Sequence, residues 1–276
     1  MSQPKVSVLI ATYNRPHLLE KAIESVFDQT SGDWEIVVVD DSTNDETERA
    51  MKDWLKRDPR IKYFKPGHAG RIAIVSNVGL REAKGEYVAI LDDDDYWADQ
   101  KKLEKQVKFL DENPSYVGCG GGFIVVDERG RETGRFLKPS SDGDIRKRAL
   151  LANPMVNSTT MFRRDTALKL GGYDETMLEF ADWDFWLKMA LAGKLHNFPE
   201  HLTYYLMWDK GSSFSKQQGT AVSGLRITRR YRKDYPSPLM GIFLAYIYYV
   251  YTRLPNALKN ILNPILSRLK KSIFMR

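Results

Sequence analysis

The 276-residue sequence is poor in the residues that build disulfide frameworks and zinc sites, since it contains one cysteine and four histidines. The lone Cys119 excludes a disulfide within one chain and a cysteine zinc site, and it fits a reducing compartment. The histidines lack the spacing of metal ligands. We interpret each as a surface or packing residue: His17, His68, His196 and His201.

Long apolar runs are also missing. Val6 to Ala11 spans six residues, which is too short for the apolar region of a secretory signal peptide. Leu239–Thr252 has fourteen residues without a charge, fewer than the roughly 20 that a membrane-spanning helix needs. We therefore expect a protein of the cytoplasm that associates peripherally with the cytoplasmic face of the cell membrane.

Acidic residues nearly disappear from the C-terminal part of the chain. Residues 216–276 carry twelve Lys or Arg and one acidic residue, Asp234, whereas residues 1–215 have five more acidic than basic side chains. This basic tail indicates an acidic partner. Its prolines and aromatic-aliphatic run fit lipid better than nucleic acid, so we expect residues 239–276 to bind an anionic membrane surface. The alternative is a pair of helices that pack on the body of the protein.

The first 115 residues alternate between strand and helix patterns. Apolar strands are predicted at residues 5–11, 34–39, 60–64 and 87–91, and helices with one apolar face at residues 17–27, 45–57, 72–83 and 100–112. This order predicts an α/β fold with a mainly parallel sheet covered by helices on both faces. We expect a nucleotide-binding and catalytic domain at residues 1–215 and a basic, amphipathic helical tail at residues 216–276.

The pattern is less regular beyond Pro114. Strands are predicted at residues 116–121, 123–126, 132–136, 161–162 and 202–207, and helices at residues 145–151, 166–170 and 183–191. Four glycines around Cys119 indicate either a strand bulge or a close approach to a bound sugar. Asn153–Thr160 and the polar segment 209–219 are candidates for acceptor contact and for a lid.

Four consecutive aspartates, Asp92 to Asp95, follow the predicted strand Tyr87–Leu91. Four adjacent carboxylates repel one another, and a hard divalent cation would relieve that repulsion. Mg²⁺ takes one or two protein carboxylates and completes its shell with water and substrate phosphate. The run therefore indicates a metal-bridged diphosphate, and a solvated acidic turn is the alternative.

Polar residues end the other predicted strands on the same sheet edge, with Thr12 to Asn14 after the first and Asp40 to Ser42 after the second. Carboxylates and an aromatic ring are what a nucleotide needs, although Asp and Ser at 40–42 also suit a helix cap. Gly-x-Gly-x-x-Gly and Gly-x-x-x-x-Gly-Lys-Ser/Thr are both absent. Dinucleotide dehydrogenases and phosphate-loop NTPases are therefore disfavoured.

Several segments in order resemble the family 2 glycosyltransferases. They are residues 6–15 (VSVLIATYNR), 35–42 (EIVVVDDS) with Asn44 and Asp45, 85–95 (GEYVAILDDDD), 161–164 (MFRR), 171–175 (GGYDE) and 182–187 (DWDFWL). The resemblance covers roughly residues 4–215. It implies a GT-A fold and inverting transfer from a nucleotide-diphosphate sugar.

The resemblance also implies roles for single residues. It places nucleotide binding on Thr12, Tyr13, Asp40, Arg71, Asp92 and Asp93. Asp40 would accept a hydrogen bond from the base, most often uracil, and Asp94 would be the direct ligand of Mg²⁺ or Mn²⁺. Asp95 would cap the following turn. A family histidine near Trp208 is missing, which leaves Asp94 as the only protein ligand assigned to the metal.

Asp182 matches the family's catalytic base, the carboxylate that takes the acceptor hydroxyl proton. The glutamate that often precedes it is Ala181 here, and Glu179 is a fallback base. Local sequence alone favours a different role for Asp182, as the N-cap of the helix that follows.

The resemblance therefore implies an inverting, metal-dependent glycosyltransferase that uses a nucleotide sugar, UDP-linked in the first instance, and a glycan or polyprenyl-phosphate-linked acceptor in cell-surface polysaccharide synthesis. A catalytically inactive, membrane-bound subunit that binds glycan or nucleotide sugar is one alternative. A sugar nucleotidyltransferase is another, but such enzymes usually carry a glycine-rich basic loop that Thr12–Pro16 lacks.

Overall fold

Nine strands form one mixed sheet in a computed structural model that describes residues 3–207, 217–255 and Leu258. The strands are β1 (Val6–Thr12), β2 (Trp34–Asp40), β3 (Ile61–Phe64), β4 (Tyr87–Ile90), β5 (Tyr96–Trp97), β6 (Tyr116–Val126), β7 (Glu132–Phe136), β8 (Met161–Arg163) and β9 (Lys194–Leu206). Their order is β3-β2-β1-β4-β8-β6-β9-β5, and β7 pairs with β6.

Nine helices are present in the described ranges. They are α1 (Pro16–Phe27), α2 (Glu46–Arg57), α3 (Ile72–Glu82), α4 (Lys102–Glu112), α5 (Asp142–Arg148), α6 (Arg164–Lys169), α7 (Ala181–Ala192), α8 (Gln217–Arg230) and α9 (Pro238–Tyr251). A 3₁₀ turn at Asn157–Thr159 precedes β8. No helix in these ranges is long and apolar enough to cross a membrane.

The first four strands are parallel, and β1, β2 and β4 are buried, as their continuous apolar runs predict. Large apolar side chains cover both faces of the sheet. One cluster includes Ile10, Ile36 and Met51, and the other includes Phe162 and Trp186. The predicted α/β fold is confirmed, although the sheet is mixed because β8, β7 and β5 run antiparallel to their neighbours.

Two predicted strands, 116–121 and 123–126, are one continuous strand, β6. The pairing of β6 with β9 shifts register at Gly120 and Gly122, so the glycines mark a bulge within one strand. The length of β9, the strand that pairs with β6, was underpredicted, because β9 begins at Lys194 rather than at Leu202.

The segment predicted as a polar loop at 209–219 is helical from Gln217, where α8 begins. Residues 209–216 of this segment lie outside the described part of the chain. Sequence polarity concealed the helix because its apolar positions are few, yet Ile227, Tyr231 and Tyr235 enter the same core as Trp186. The start of the basic tail therefore packs on the body of the protein.

Candidate active site

The ends of β1, β2 and β4 meet at one edge of the sheet, because these strands are parallel and in register. Thr12 lies opposite Asp40, and Leu9 lies opposite Ile90, two residues before the aspartate run. The structure therefore brings together the polar residues predicted after these three strands. Parallel α/β sheets bind their ligands at this edge.

Arg15 joins two of these loops. Its Nη1 donates to Asp94 Oδ2 at 2.7 Å and its Nη2 donates to Asp93 Oδ1 at 2.5 Å. Asp93 is almost completely buried, whereas one fifth of the Asp94 side chain is exposed. The sequence did not indicate this contact, and the only signal was a lone cation directly after the polar end of β1.

The 3₁₀ turn supports the aspartates from the opposite side. Asn157 Nδ2 donates to Asp92 Oδ1 at 2.7 Å, and the Ser158 hydroxyl donates to Asp95 Oδ2 at 2.5 Å. The second Asp95 oxygen accepts from the backbone N–H of Leu206 at 3.1 Å. The expectation that Asp95 caps the following turn was therefore wrong. Its carboxyl is bonded instead to the 3₁₀ turn and to β9.

Burial perturbs the carboxyls of this run. Loss of solvent raises the pKa of Asp92 to about 7, and the nearby charges of Asp94 and Asp182 act in the same direction. Burial also raises the pKa of Asp93 to about 7, against the lowering effect of Arg15. Such pKa values far above the ordinary range of aspartate are typical of functional sites.

Asp40 is fully buried at the end of β2, with both oxygens engaged. The Ser42 backbone N–H donates to Oδ1 at 2.8 Å, and the Tyr63 hydroxyl donates to Oδ2 at 2.6 Å. Tyr63, on β3, was not predicted as a site residue. Each carboxylate oxygen retains a second lone pair, so a further donor can still be accepted.

Asp41 organises the loop that faces Tyr13. Its carboxyl accepts from the backbone N–H groups of Ala69 and Gly70, at 2.5 and 3.0 Å. His68 Nδ1–H donates to the Asp41 backbone carbonyl at 2.8 Å, and its imidazole stacks on the half-exposed Tyr13 ring, with centroids 5.4 Å apart. His68, interpreted from sequence as a surface or packing residue, thus packs on Tyr13, one of the predicted nucleotide-binding residues.

Arg71 lies exposed at the N-cap of α3. Its Nη1 donates to the backbone carbonyl of Glu175 at 3.1 Å, which directs it toward the loop before α7. The described structure thus links the predicted base-binding side to the segment that carries Asp182.

Asp182 lies in the first turn of α7, behind an N-cap residue, Phe180, with a φ of 59°. Asp182 is therefore not the N-cap itself, contrary to what local sequence favours. Asn153 Nδ2 donates to its Oδ2 at 2.6 Å. Burial raises the pKa of Asp182, and hydrogen bonding to backbone N–H groups and to Asn153 partly offsets the rise.

Asp184 and Glu179, the two carboxylates nearest to Asp182 in the sequence, have different surroundings. Asp184 is buried, and its Oδ1 accepts from Arg230 at 2.6 Å and from the Tyr231 hydroxyl at 3.2 Å. Its carboxyl therefore faces α8, away from the aspartate run. Glu179 lies against Gly219 at the start of α8.

The residues present suit a magnesium or manganese ion only in part. Asp93 Oδ2 is buried without a hydrogen-bond partner in the described part of the chain, and the Asp94 side chain next to it in sequence is one fifth exposed. Across the same ranges, no three His, Cys, Asp or Glu side chains are arranged to hold a metal ion. A one- or two-carboxylate site fits Mg²⁺, which keeps water and substrate phosphate in its shell.

Residues 7–171 match the family described as Glycosyl transferase family 2. The chain belongs to this family. It is similar to a Bacillus subtilis (strain 168) protein named as a glycosyltransferase, EpsE, with 31% identity over 79% of this chain and 78% of that protein. The uncharacterised glycosyltransferase MJ1057 of Methanocaldococcus jannaschii is 33% identical over 68% of this chain and 65% of its own length.

Solved structures with the same fold include two with sugar donors. The mannosyltransferase PcManGT from Pyrobaculum calidifontis, in complex with GDP-Man and Mn²⁺, has a TM-score of 0.66 at 21% identity, covering 90% of this chain and 70% of that chain. S. aureus TarS 1-349 in complex with UDP-GlcNAc has a TM-score of 0.64 at 19% identity, covering 86% and 69%. These likenesses show the GT-A fold.

Proposed function

We propose that this family 2 glycosyltransferase is an inverting, metal-dependent enzyme that uses a nucleotide-diphosphate sugar, with UDP as the first candidate nucleotide. The observation that carries the proposal is the proximity of two groups on different elements. The Asp182 carboxyl, on α7, lies close enough to Asp92, at the end of β4, to raise the pKa of Asp92. This proximity supports a role for Asp182 as the proton acceptor near the edge where the predicted donor residues converge.

The donor is bound, in this proposal, by the residues at the ends of β1, β2 and β4. Tyr13 stacks on the base next to His68, and Asp40 accepts from a base N–H through a free lone pair. Arg71 contributes a cation to the base or the diphosphate. Thr12 lines the base and ribose, and Asp92 and Asp93 hold the ribose and metal-bound water.

Asp94 is the proposed protein ligand of Mg²⁺ or Mn²⁺. When bound, such an ion is a Lewis acid that stabilises the negative charge of the diphosphate leaving group. Support comes from the Asp93 oxygen that has no hydrogen-bond partner among the described residues, from the partial exposure of the Asp94 side chain and from the Mn²⁺ and GDP-Man in the PcManGT structure.

Asp182 is the proposed general base. It takes the proton of the acceptor hydroxyl as the hydroxyl oxygen bonds to the anomeric carbon, and the nucleoside diphosphate leaves with the electron pair of the broken bond. Attack opposite the leaving group inverts the anomeric configuration. Its raised pKa suits this role, because a more basic carboxylate accepts a proton more readily.

Release of nucleoside diphosphate from a panel of nucleotide sugars with Mn²⁺ tests the reaction, with glycan and lipid-linked acceptors present. Asp182→Asn is expected to abolish transfer while donor binding persists, and Glu179→Gln is the matched control that retains activity. The proposal fails if no donor turns over, or if Glu179→Gln rather than Asp182→Asn abolishes transfer. Donor binding without turnover would instead favour an inactive binding subunit.

The acceptor is proposed to be a glycan or a polyprenyl-phosphate-linked glycan, used at an anionic membrane surface for cell-surface polysaccharide or glycoconjugate synthesis. Support comes from α9, where six of the seven exposed large side chains share one face at helical spacing, and Tyr248 is the exception. We call this the α9 face, and it comprises Leu239, Met240, Phe243, Tyr246, Ile247 and Val250.

Charge around the α9 face favours lipid. Exposed Arg232 and Lys233 precede the helix and exposed Arg253 follows it, and the sequence contains no Asp or Glu after Asp234. A second copy of the same face would bring like charges together, whereas an anionic bilayer would complement them.

A further inference from the structure

The guanidinium of Arg15 lies among the carboxylates that the proposed function assigns to the metal and the ribose. It holds Asp94 and Asp93 at once, with 2.7 and 2.5 Å between the bonded atoms. Asp93 needs a cation because it is buried, but the partly exposed Asp94 does not. Neutralising Asp93 alone does not require a second bond from the same guanidinium to Asp94.

Helix stability does not explain the position of Arg15 either. Arg15 is the N-cap residue of α1, its side chain makes no capping hydrogen bond, and the first turn contains no acidic residue. A cation at a helix N-terminus is unfavourable because it meets the positive end of the helix dipole. The preceding Asn14 has a φ of 53°, and its backbone N–H is bonded to the Ser42 hydroxyl at 2.8 Å. The loop thus fixes Arg15 in place against the preference of the helix.

We propose that the Arg15 guanidinium neutralises the Asp94 carboxylate in the donor-free protein. It releases that carboxylate when metal and nucleotide diphosphate bind together. A metal ion alone must compete with the guanidinium for Asp94. A diphosphate supplies oxygen acceptors for the guanidinium arm that leaves Asp94, while the other arm keeps its bond to Asp93. Metal and nucleotide therefore bind with positive coupling, and Arg15 sets part of that coupling.

This inference depends on the proposed function, but its test does not require turnover. Electron paramagnetic resonance of Mn²⁺ measures the free ion at one fixed pH, with and without UDP. Arg15→Gln is expected to bind Mn²⁺ alone at least about fivefold more tightly than the native protein. The gain in Mn²⁺ affinity caused by UDP is expected to shrink by the same factor.

Two further variants complete the test. Arg15→Lys keeps a charge but lacks the two-armed geometry, so its Mn²⁺ affinity is expected between those of the native protein and Arg15→Gln. It also serves if Arg15→Gln fails to fold. Arg135→Gln removes an exposed arginine that pairs with Glu132 and is expected to change nothing.

Mn²⁺ affinity that is unchanged or weaker in folded Arg15→Gln and Arg15→Lys overturns the inference. That outcome leaves the proposed function intact if UDP still binds with Mn²⁺. Failure of UDP to bind the native protein under any condition would instead count against the proposed function.

Discussion

Asn153 and Asp182 form the contact on which the proposed proton transfer depends. The amide donates to the carboxyl at 2.6 Å and favours its ionised form, which lowers the pKa of Asp182 against the rise caused by burial. The two residues lie far apart along the sequence, since Asn153 precedes β8 and Asp182 lies in α7.

Asn153→Ala is expected to shift the acid limb of kcat/KM to higher pH. Removing the donor raises the pKa of Asp182 further, and a general base works only when it is ionised. The fall in rate should therefore be largest at low pH and small at high pH. The measurement is a pH–rate profile with Asn44→Ala as the control, since Asn44 Oδ1 only accepts from the Glu46 backbone N–H. An unmoved limb would mean that another group is the base.

Single residues show what sequence reasoning reaches and what it misses. The acidic run and Asp40 were placed correctly at one edge, because strand ends in a parallel sheet must converge. Their binding and catalytic roles stay predictions. Arg15, Tyr63 and Asn153 were missed as partners, since each meets its carboxylate across 23 to 79 positions of sequence. No local pattern encodes such a pairing.

The helix α4 carries a lysine that is completely buried. Lys102 Nζ donates to Gln106 Oε1 at 2.8 Å and lies 4.1 Å from the centre of the Trp97 ring. Burial lowers the pKa of Lys102 to about 7, far below the value near 10.4 of an exposed lysine. Between these values the unfolded chain binds more protons than the folded one, so the free energy of unfolding rises with pH.

Lys102→Met is expected to remove this dependence. The native protein should gain stability relative to the variant as pH rises from about 7 toward 10, by up to about 1.4 kcal/mol per pH unit. Urea unfolding of both proteins at the two ends of this range is the measurement. A difference in stability that stays constant with pH would show that Lys102 is charged in the folded protein throughout.

An arginine at the end of α8 forms an ion pair with α7. Arg230 donates to Asp184 Oδ1 at 2.6 Å and pairs with Asp174 at 2.8 Å. Arg230→Ala leaves the Asp184 carboxylate buried with no cation bonded to it among the described residues. Because water reaches Arg230, we expect a loss of about 2 kcal/mol, below the range for a fully enclosed pair.

Thermal or urea unfolding measures the effect of Arg230→Ala. Arg229→Ala, one residue earlier and exposed, is the matched control and should change stability by less than about 0.5 kcal/mol. Equal effects of the two substitutions would mean that the ion pair to Asp184 contributes nothing specific.

The helices and strands with the clearest apolar patterns were predicted most accurately. The first eight were close to the observed bounds, because each buries a continuous run or a clear helical face. β5 was missed, since two residues carry no periodicity. β6 was divided at its glycines, which are required there because a Cβ on Gly121 would meet Leu202 at 2.7 Å. Only the neighbouring strand reveals that requirement.

The molecule as a whole combines an acidic edge of the sheet, the proposed active site, with a basic, apolar surface around α9. The GT-A fold and the family assignment are confirmed, whereas the division at residue 215 and the membrane partner stay predictions. The distribution of charge along the sequence identified the segment that forms this surface, but not which of its side chains are exposed. Packing of α9 against α8 was needed to show which side chains remain exposed.

The α9 face is expected to bind vesicles that contain anionic lipid. Phe243→Glu places a charge at the centre of the face and should weaken binding by about tenfold, since it loses apolar burial and adds repulsion. Co-sedimentation with vesicles is the measurement. Leu191→Glu changes an equally accessible leucine at the end of α7, 50% exposed, and should have no effect. Equal loss in both variants, or retention by DNA rather than vesicles at physiological salt, would contradict lipid binding.

Anomalous diffraction from crystals soaked with UDP and Mn²⁺ tests the central claim most directly, because it locates metal and nucleotide together. We predict one manganese peak beside the Asp94 carboxyl, with the uracil against Tyr13 and Asp40 and the diphosphate between them. A nucleotide bound elsewhere, or an acidic edge that holds neither UDP nor manganese at saturating concentrations, would contradict the account.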